Sequence, residues 1–490
     1  MNRRVLCFDF GASGGRAMLA EYDGTKITLN EVHRFRNEHI TVNGTVYWDV
    51  LRLFHEIKTG LVKGHQAGGY ECIGIDTWGV DYGIIDENGF LIGNPVQYRD
   101  RRTDNIFEKS EKIISNDELY LLTGNQVMEI NTAFQLLAEK EQKPYMFREG
   151  NKILMMPDLF AYMLTGNISA ETSIASTTQL FDQNRLDWSD EAIEKFGLRR
   201  DMFPNIIKAG ESKGYLRDEL CRELNIPKAE VRAVCGHDTQ CACFAVPDRS
   251  KRDFIFLSCG TWSLLGTELD APVINEKSAK FNITNEVGYD GKITFLNNIT
   301  GLWLIQETRN YLKSQGEDYS FAELEKMALD SSDFCSFADP DYPELAKHGD
   351  IPSVIREYCR KTGQKVPENT GEIMRSIYLG LALKYRQSIE EIETCTDKKY
   401  DVIYIVGGGV RDETLCQLTA DICGIKAVSG SSEATAMGNA AILLMHCGAI
   451  KNAQEAGEVI GKSSEMKVYL PKNDFSALYD KFKINKKVSV

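Results

Sequence analysis

An aspartate followed by a glycine-rich turn is the first feature of the chain that could carry chemistry. Asp9 lies near the end of the apolar run of residues 5–10. The small residues 11–15 then lead through Arg16 into a second apolar run. A turn without bulky side chains exposes successive backbone N–H groups, which together bind anions such as phosphate. A carboxylate beside such a turn can hold Mg²⁺, directly or through water. The alternative is an ordinary glycine-rich hairpin with a structural aspartate.

The residues after this turn exclude two common nucleotide-binding motifs. A P-loop needs G-x-x-x-x-G-K-[ST] at the start of a helix, and a dinucleotide-binding fingerprint also precedes a helix. Residues 17–20 are instead a short apolar run, which predicts that the chain returns as a second strand. We therefore expect a β-hairpin at this position.

A second candidate group is Asp238, which follows His237 just after the apolar run of residues 231–235. A carboxylate at the point where a strand ends and a helix begins can accept a proton from a sugar hydroxyl. With an ordinary pKa of about 3.9 it would be a weak base, but fully ionised at neutral pH. Aspartate is also a frequent helix N-cap, so a structural role is the alternative for both residues.

Two further segments combine aromatic, amide and hydroxyl side chains, the combination that a sugar site uses. Residues 76–83 have the sequence Asp-Thr-Trp-Gly-Val-Asp-Tyr-Gly, with Trp78 near their centre. A structural turn with a packed tryptophan is the alternative there. Residues 297–306 begin polar and then become apolar with helical spacing. This pattern predicts that Asn298 and Gln306 reach a ligand from one face of one helix.

The elements that must position these residues alternate between strand and helix. Residues 72–76 and 401–406 are apolar strand candidates, and residues 372–393 carry apolar side chains at helical spacing. Three glycines at 407–409 follow the second strand, where backbone could approach a phosphate or a flat ring closely. A purely structural turn is the alternative for these glycines. The alternation predicts an α/β architecture.

The strand–turn–strand pattern of the N-terminus recurs about half a chain later. Residues 253–259 form an apolar run, Gly260 and Thr261 follow as a turn, and residues 262–266 return as a second run. Two such units predict two related domains, each beginning with a hairpin that can hold a phosphate. A chance match of two short hairpins is the alternative. The charged, proline-containing residues 246–252 would form the boundary.

The composition limits the partners that the protein can have. Lys and Arg number 57 against 71 Asp and Glu, and the net charge of −14 argues against nucleic acid or an anionic membrane. The 13 cysteines include no C-x-x-C pair. The sequence has neither a signal-peptide core nor an apolar stretch long enough to span a membrane. We therefore predict a cytoplasmic protein with reduced thiols.

Taken in order, these segments resemble the FGGY carbohydrate kinases. The matching motifs are GIDTWGVD at 74–81, YRDRRT at 98–103, MPDLFAYMLTG at 156–166, HDT at 237–239, SCGTWSL at 258–264, NITNE at 282–286, NITGLWLIQ at 298–306 and IVGGG at 405–409. The resemblance implies an α/β fold of two duplicated actin-like, or ribonuclease-H-like, domains with a catalytic cleft between them. The expected domains are residues 1–246 and 253–450, with a C-terminal extension over residues 451–490.

The resemblance also implies a role for each candidate residue. Asp238 matches the catalytic base, and Asp9 matches the acid that such folds place near Mg²⁺. The positions that line the sugar are matched by Gly79, His237, Asp238, Thr239 and Asn298. The ATP-binding positions are matched by Ala12, Ser13, Gly14, Gly15, Arg16, Thr261, Gln306 and Gly408.

These roles imply transfer of the γ-phosphoryl group of ATP, with Mg²⁺, to the 1-hydroxyl of a keto sugar, and L-rhamnulose is the expected substrate. Another ketose, such as L-fuculose or L-xylulose, is the alternative within the family. An actin-like protein that binds nucleotide without sugar catalysis is the alternative outside it. We expect a small-molecule sugar as the partner, no nucleic acid, no membrane, and a monomer or homodimer.

Overall fold

The structure, a computed structural model, describes residues 2–247 and 253–486 and divides into two units. The first unit comprises Met1–Lys251, Glu268–Phe295 and Ala434–Ser464. The second comprises Arg252–Thr267, Leu296–Glu433 and Glu465–Val490. The predicted domains were contiguous halves with an extension after residue 450, whereas each observed unit is assembled from three separate segments. Most of the predicted boundary, residues 246–252, lies outside the described residues.

A six-stranded mixed sheet forms the centre of the first unit. Its strands follow the order Ser212–Tyr215, Glu230–Arg232, Cys72–Thr77, Arg3–Gly11, Gly14–Tyr22 and Ile27–Arg36. Four two-stranded pairs accompany it: His39–Val42 with Thr45–Trp48, Tyr82–Ile85 with Lys152–Met155, Ala170–Glu171 with Ile206–Ile207, and Phe181–Asp182 with Asp187–Trp188. The predicted hairpin at the N-terminus is present, because residues 5–10 and 17–20 are the apolar parts of two antiparallel strands.

A seven-stranded sheet supplies the strands of the second unit. The strand order of this sheet is Thr284–Val287, Ile293–Thr300, Trp262–Leu269, Ile255–Cys259, Val402–Val406, Lys426–Ser429 and Lys467–Tyr469. The predicted strand at 401–406 is confirmed as Val402–Val406, and all of its residues are buried.

The two sheets share the same order of strand directions, which confirms the duplicated fold. In the first sheet a hairpin is followed by two parallel neighbours and then by an antiparallel edge strand. The hairpin Ile255–Cys259 and Trp262–Leu269 begins the same series in the second sheet. A chance match of two short hairpins would not reproduce the whole series. The carboxyl ends of the central parallel strands are therefore the expected ligand edge of each sheet.

Helices connect and cover these strands. In the first unit they are Val50–Gln66, Phe107–Ser110, Asn116–Thr123, Thr132–Gln142, Met156–Thr165, Thr172–Ala175, Asp190–Lys195, Asp218–Leu224, Asp238–Phe244, Glu276–Phe281, Ala434–His446 and Ala453–Ser463. In the second unit they are Trp303–Ser314, Phe321–Asp330, Ile351–Lys361, Thr370–Thr396, Glu413–Cys423 and Ser476–Lys486. The helix predicted at 372–393 is the central part of Thr370–Thr396.

One late helix completes the core of the first unit. Helix Ala434–His446 packs against strand Arg3–Gly11 and helix Asp238–Phe244. A Cβ on Gly438 would lie 1.9 Å from the carbonyl oxygen of Cys241, so only glycine permits this approach. Through this packing the segment belongs to the first unit, although it follows most of the second sheet in sequence.

Two sequence expectations concern the molecule as a whole. Among the described residues, no helix is long and apolar enough to cross a membrane. All thirteen cysteines lie in the described part of the chain, and none of them forms a disulfide.

Candidate functional site

The N-terminal hairpin turns sharply because its glycines face the neighbouring strand. Gly11 and Gly14 pair across the turn, and Ala12 and Ser13 form its tip. A Cβ on Gly15 would lie 2.3 Å from the ring of Phe35, so no larger residue fits there. In the predicted loop of residues 12–16, Ala12 and Ser13 form the turn, whereas Gly14, Gly15 and Arg16 pair with the neighbouring strand Ile27–Arg36.

This turn opens onto a cavity of about 610 Å³ that carries three guanidinium groups. Arg16 lines the cavity from the hairpin, and Arg34 and Arg36 line it from strand Ile27–Arg36. The charge of Arg16 is partly compensated by Asp9, whose Oδ2 lies 2.6 Å from the guanidinium. Cations beside the Ala12–Ser13 turn suit the cavity to phosphate. Arg34 and Arg36 are additions to the predicted set.

Two carboxylates meet at the ends of the central parallel strands. Asp9 and Asp76 are register partners on strands Arg3–Gly11 and Cys72–Thr77. Asp76 is fully buried, and its Oδ2 accepts a hydrogen bond of 2.6 Å from Asn439. Its Oδ1 has no hydrogen-bond partner among the described residues. Burial, followed by the charge of Asp9, raises the pKa of Asp76 well above its ordinary value.

The residues around Asp9 fit a divalent cation that also binds phosphates. In the described ranges, no group of three or more His, Cys, Asp or Glu side chains is placed to enclose a metal. Mg²⁺ does not require such a group, because it usually takes one or two carboxylates together with water and substrate phosphates. The buried Oδ1 of Asp76 is an available acceptor beside Asp9. A cation there would also offset the repulsion between the two carboxylates.

Asp238 is the first residue of helix Asp238–Phe244, and the N-cap position belongs to His237. The N-cap interpretation of Asp238 is therefore wrong. Its side chain is 28% exposed, and its Oδ1 accepts hydrogen bonds from the backbone N–H (2.7 Å) and the hydroxyl (3.3 Å) of Thr239. Thr239 thereby orients the carboxylate.

The pKa of Asp238 differs from the ordinary value expected from the sequence. Desolvation raises the pKa of Asp238 to about 6, the charge of His237 lowers it, and the charge of Asp9 raises it. The pKa of Asp238 departs from the ordinary value because burial penalises the charged form of its carboxyl group. A carboxylate with this pKa is a stronger base than an ordinary one, and it is still mostly ionised at neutral pH.

His237 bridges two carboxylates. Its Nδ1 lies 2.9 Å from Oε2 of Glu286, and its Nε2 lies 3.5 Å from Oδ1 of Asp238. Burial lowers the pKa of His237, but the charges of Glu286 and Asp238 and the hydrogen bond to Glu286 raise it, with a net upward shift. The imidazole is thus disposed to carry a positive charge next to the candidate base.

Gly79 lies against the same imidazole. A Cβ on Gly79 would be 3.3 Å from Nε2 of His237 and 3.5 Å from Thr177, so glycine keeps this edge of the ring uncovered. Val80, the next residue, has a φ of 64°, which is rare for a β-branched residue. Its N–H donates to Thr177, and its carbonyl accepts from Thr132. A strained residue held by hydrogen bonds is typical of a functional site.

Trp78 is a packing residue and not an exposed platform for a sugar. It is 5% exposed, and its ring lies 4.5 Å from that of Trp48. Both indole N–H groups donate to Oδ2 of Asp81, at 2.9 and 2.6 Å. The alternative of a structural turn with a packed tryptophan therefore describes this part of residues 76–83. Desolvation raises the pKa of the buried Asp81 to about 6.

In the second unit, the repeated hairpin is tied to the start of a helix. The backbone N–H of Gly260 donates to the carbonyl of Trp262, which closes the turn around Thr261. The carbonyl of Thr261 accepts from the N–H groups of Gly301 and Trp303. Helix Trp303–Ser314, which carries Gln306, is thereby anchored at the turn.

Asn298 and Gln306 do not lie on one helix, contrary to the sequence expectation. Asn298 lies on strand Ile293–Thr300, and the helix begins only at Trp303. The polar start of residues 297–306 is the end of a sheet strand, and the apolar residues after Gly301 belong to a separate element. Both side chains are half-buried.

The three glycines at 407–409 have different surroundings. Gly407 has a φ of 83°, and a Cβ there would be strained. A Cβ on Gly409 would lie 2.3 Å from Sγ of Cys259 on the hairpin strand. A Cβ on Gly408 would meet no described atom within 4 Å, because this residue is exposed. Gly408 is thus the one of the three that a ligand can approach.

The structure brings together part of the predicted set within each unit. In the first unit it gathers Gly79, His237, Asp238 and Thr239, with Asp9 close enough for its charge to act on Asp238. Thr261, Asn298, Gln306 and Gly408 belong to the second unit. Glu286 is a functional candidate that the sequence did not identify, and Asp76, which the sequence placed in the candidate sugar segment of residues 76–83, is instead a candidate for the cation site beside Asp9. Glu286 lies in the NITNE motif, but nothing in the sequence connects it to His237.

Comparisons with known proteins identify the family of the chain. The family model described as FGGY family of carbohydrate kinases, N-terminal domain, matches residues 4–245, and that of the C-terminal domain matches residues 255–447. A curated rhamnulokinase from Bacteroides thetaiotaomicron is 38% identical over 486 residues, covering 99% of both chains. A rhamnulokinase from Halalkalibacterium halodurans is 40% identical over 466 residues, covering 95% of this chain and 98% of its own.

Solved structures share the fold at low sequence identity. Plasmodium falciparum glycerol kinase with ADP superposes with a TM-score of 0.79 at 17% identity, covering 99% of this chain and 97% of its own. A ligand-bound xylulose kinase from Lactobacillus acidophilus superposes with a TM-score of 0.78 at 16% identity, covering 99% and 96%. The predicted family and the predicted two-domain actin-like fold are confirmed.

Proposed function

The chain is a member of the FGGY family of carbohydrate kinases, and from that premise we propose that it phosphorylates L-rhamnulose. The reaction transfers the γ-phosphoryl group of ATP to the 1-hydroxyl and yields L-rhamnulose 1-phosphate and ADP, as a step of L-rhamnose catabolism. The observation that carries the choice of sugar is the similarity to curated rhamnulokinases over nearly the whole chain.

On the sugar side, Asp238 acts as the general base. It accepts the proton of the 1-hydroxyl as that oxygen forms its bond to the γ-phosphorus and the bond to the β-phosphate oxygen of the leaving ADP breaks. Phosphoryl transfer depends mainly on positioning and charge stabilisation, so a carboxylate that is held by Thr239 and faces His237 is well suited to it. Gly79, His237, Thr239 and Asn298 are the proposed sugar-binding partners.

On the nucleotide side, the hairpin turn and the arginines beside it hold the phosphates. The hairpin turn with Arg16, and the cavity with Arg34 and Arg36, form the proposed phosphate site of the first unit. The proposed ATP-binding residues are Ala12, Ser13, Gly14, Gly15 and Arg16 in the first unit and Thr261, Gln306 and Gly408 in the second. Water competes with the sugar hydroxyl for the γ-phosphoryl group, and it is excluded only when both substrates are bound closely.

Asp9 would hold Mg²⁺, with Asp76 as its register partner on the neighbouring strand. When bound, the cation neutralises charge on the phosphate oxygens. Asp9 also forms an ion pair with Arg16, so a candidate cation-binding side chain and a candidate phosphate-binding side chain lie next to each other. The catalytic cleft between two domains, the cytoplasmic location and the monomeric or homodimeric state stay predictions of this proposal.

A panel of sugars tests the substrate directly. The purified protein is incubated with MgATP and, in separate reactions, with L-rhamnulose, L-fuculose, L-xylulose, D-xylulose or glycerol, and ADP release is measured against a sugar-free control. We expect L-rhamnulose to give the highest kcat/KM and product analysis to place the phosphate on the 1-hydroxyl.

Two results would contradict the proposal in different ways. A clear preference for another ketose would replace the substrate but keep the kinase reaction. ATP binding without sugar-dependent ADP release would instead favour the non-catalytic actin-like alternative. The Asp238→Asn variant serves as the control for contaminating kinases, because it should lower the sugar-dependent signal at least about a hundredfold.

A further inference from the structure

A buried glutamate from a distant strand contacts the histidine beside the proposed base. Glu286 lies on strand Thr284–Val287, all of whose residues are buried. Its Oε2 lies 2.9 Å from Nδ1 of His237 and 3.0 Å from Nε2 of Gln240. A buried carboxylate is unfavourable unless hydrogen bonds and opposite charge compensate it. Here the contacts with Gln240 and His237 supply that compensation.

The hydrogen bonds around Gln240 determine what Glu286 can donate or accept. The hydroxyl of Thr294 donates to Oε1 of Gln240 at 2.6 Å, so the amide NH₂ of Gln240 faces Glu286. Oε2 of Glu286 thus accepts from that amide and also faces Nδ1 of His237. An oxygen that accepts twice is best served by the ionised carboxylate. Nδ1 of His237 then carries the proton of this contact.

The opposite edge of the imidazole faces the proposed sugar site. Nε2 of His237 lies 3.5 Å from Oδ1 of Asp238 and next to the Cα of Gly79, where no side chain intervenes. The backbone of His237 is held as well, since its N–H donates to the hydroxyl of Ser173 at 3.2 Å. The ring therefore has one edge fixed by Glu286 and one edge directed toward the base.

We propose that Glu286 is a positioning residue that fixes the orientation of His237 and keeps it positively charged, so that Nε2–H can donate to a sugar oxygen beside Asp238. The proposal rests on the kinase function proposed above, and it deepens that function by assigning a role to a residue outside the predicted site. Gln240 and Thr294 extend the arrangement by orienting the carboxylate of Glu286.

The charges that face His237 all favour this state. They come from three elements: Glu286 on its strand, Asp238 on the following helix, and Glu171 at the N-cap of helix Thr172–Ala175. Burial opposes the positive charge, but together these carboxylates raise the pKa of His237 above its ordinary value. In turn, the charge of His237 lowers the pKa of Asp238. Loss of Glu286 would therefore change the pKa of Asp238 through its effect on the charge of His237.

The first test uses the wild-type protein and needs no turnover. Nitrogen-15 NMR of the histidine side chains, with His237 assigned by comparison with His237→Gln, reports which ring nitrogens carry protons. We expect both nitrogens of His237 to be protonated at neutral pH, and the Glu286→Gln variant to lose one proton there. A neutral His237 in the wild type, or an unchanged ring in the variant, would overturn the proposal whatever the substrate.

The second test is kinetic and uses the ketose that the sugar panel identifies as the best substrate. Glu286→Gln preserves size and hydrogen bonding but removes the charge. We expect its kcat/KM for the sugar to fall about ten- to hundredfold and its KM for ATP to stay unchanged. The acid limb of its kcat/KM against pH should move to higher pH. Glu191→Gln, on an exposed side chain of helix Asp190–Lys195, is the matched control.

Two kinetic outcomes would overturn the proposal. One is wild-type kcat/KM with a wild-type pH profile in a folded Glu286→Gln protein. The other is a loss that affects ATP and sugar equally and follows a fall in melting temperature, as a merely structural residue would give. Because the assay uses whichever ketose is turned over, a mistaken substrate and a mistaken role for Glu286 give different results.

Discussion

Asp9 and Asp76 stand opposite each other on two neighbouring parallel strands at the centre of the first sheet. Arg16 compensates the charge of Asp9, whereas Asp76 has only the amide of Asn439 and one oxygen without a partner among the described residues. Burial and the charge of Asp9 raise the pKa of Asp76 and so disfavour its ionised form. The pair is thus arranged so that a bound cation would stabilise it, and this arrangement can be tested.

The Asp76→Asn variant should weaken the dependence on Mg²⁺ at little structural cost. We expect the half-saturating Mg²⁺ concentration to rise about tenfold, as for residues that support a metal site from outside. The unliganded protein should melt at the same or a higher temperature, because a buried carboxylate has been removed. Mn²⁺ binding followed by electron paramagnetic resonance gives a readout independent of turnover. Unchanged metal affinity in a folded variant would exclude Asp76 from the site.

The Asp238→Asn variant should lose turnover but keep its nucleotide. Asparagine preserves the shape beside Thr239 but cannot accept the hydroxyl proton, so kcat should fall by about 10²–10⁴. ATP affinity measured by calorimetry should stay near that of the wild type. Asp218→Asn, whose side chain is 69% exposed, is the control and should retain full activity. Near-normal turnover of Asp238→Asn would rule out this residue as the base.

The pH dependence of kcat/KM should show an acid limb near pH 6. The base must be ionised, and the pKa of Asp238 is raised to about 6, so activity is lost as the pH falls through that value. The charge of His237 lowers the pKa of Asp238. His237→Gln should therefore move the limb to higher pH. Direct quantification of ADP avoids the pH sensitivity of coupling enzymes, and a limb that stays below pH 5 in both proteins would contradict the assignment.

Gly408 and Gly409 provide a matched pair of substitutions in the triple-glycine turn. Gly408→Val places its side chain in open space and should weaken ATP binding without lowering the melting temperature. Gly409→Val collides with Cys259 and should destabilise the protein by about 1–3 kcal/mol. Calorimetry with ATP and thermal unfolding of both variants separate the two effects. Equal ATP affinity for wild type and Gly408→Val would remove Gly408 from the nucleotide site.

Local sequence patterns were sufficient for the elements that begin each domain. Small residues at 11–15 permit only a tight turn, and apolar residues on both sides require buried strands, so the hairpin follows from short-range sterics and burial. The same holds for strand Val402–Val406 and the long helix Thr370–Thr396. These features depend on residues within one turn or one strand of each other.

The assignment of Asn298 shows where such reasoning stops. The apolar spacing of residues 302–305 is helical, but the polar residues before it belong to a sheet strand. Strand and helix are indistinguishable over a few residues, because pairing with a distant strand decides between them. The ordinary pKa expected for Asp238 was wrong for a related reason: burial and the charges of His237 and Asp9 come from the fold.

The sequence by itself determined the family, the duplicated α/β plan and most of the candidate residues, since these depend on motif order and on local periodicity. Only the tertiary structure decided which charges act on one another. Asp76 meets Asp9 through strand register, and Glu286 reaches His237 from a strand 49 residues further along the chain. Electrostatic coupling depends on distance in space and on burial, and neither quantity is encoded in spacing along the chain.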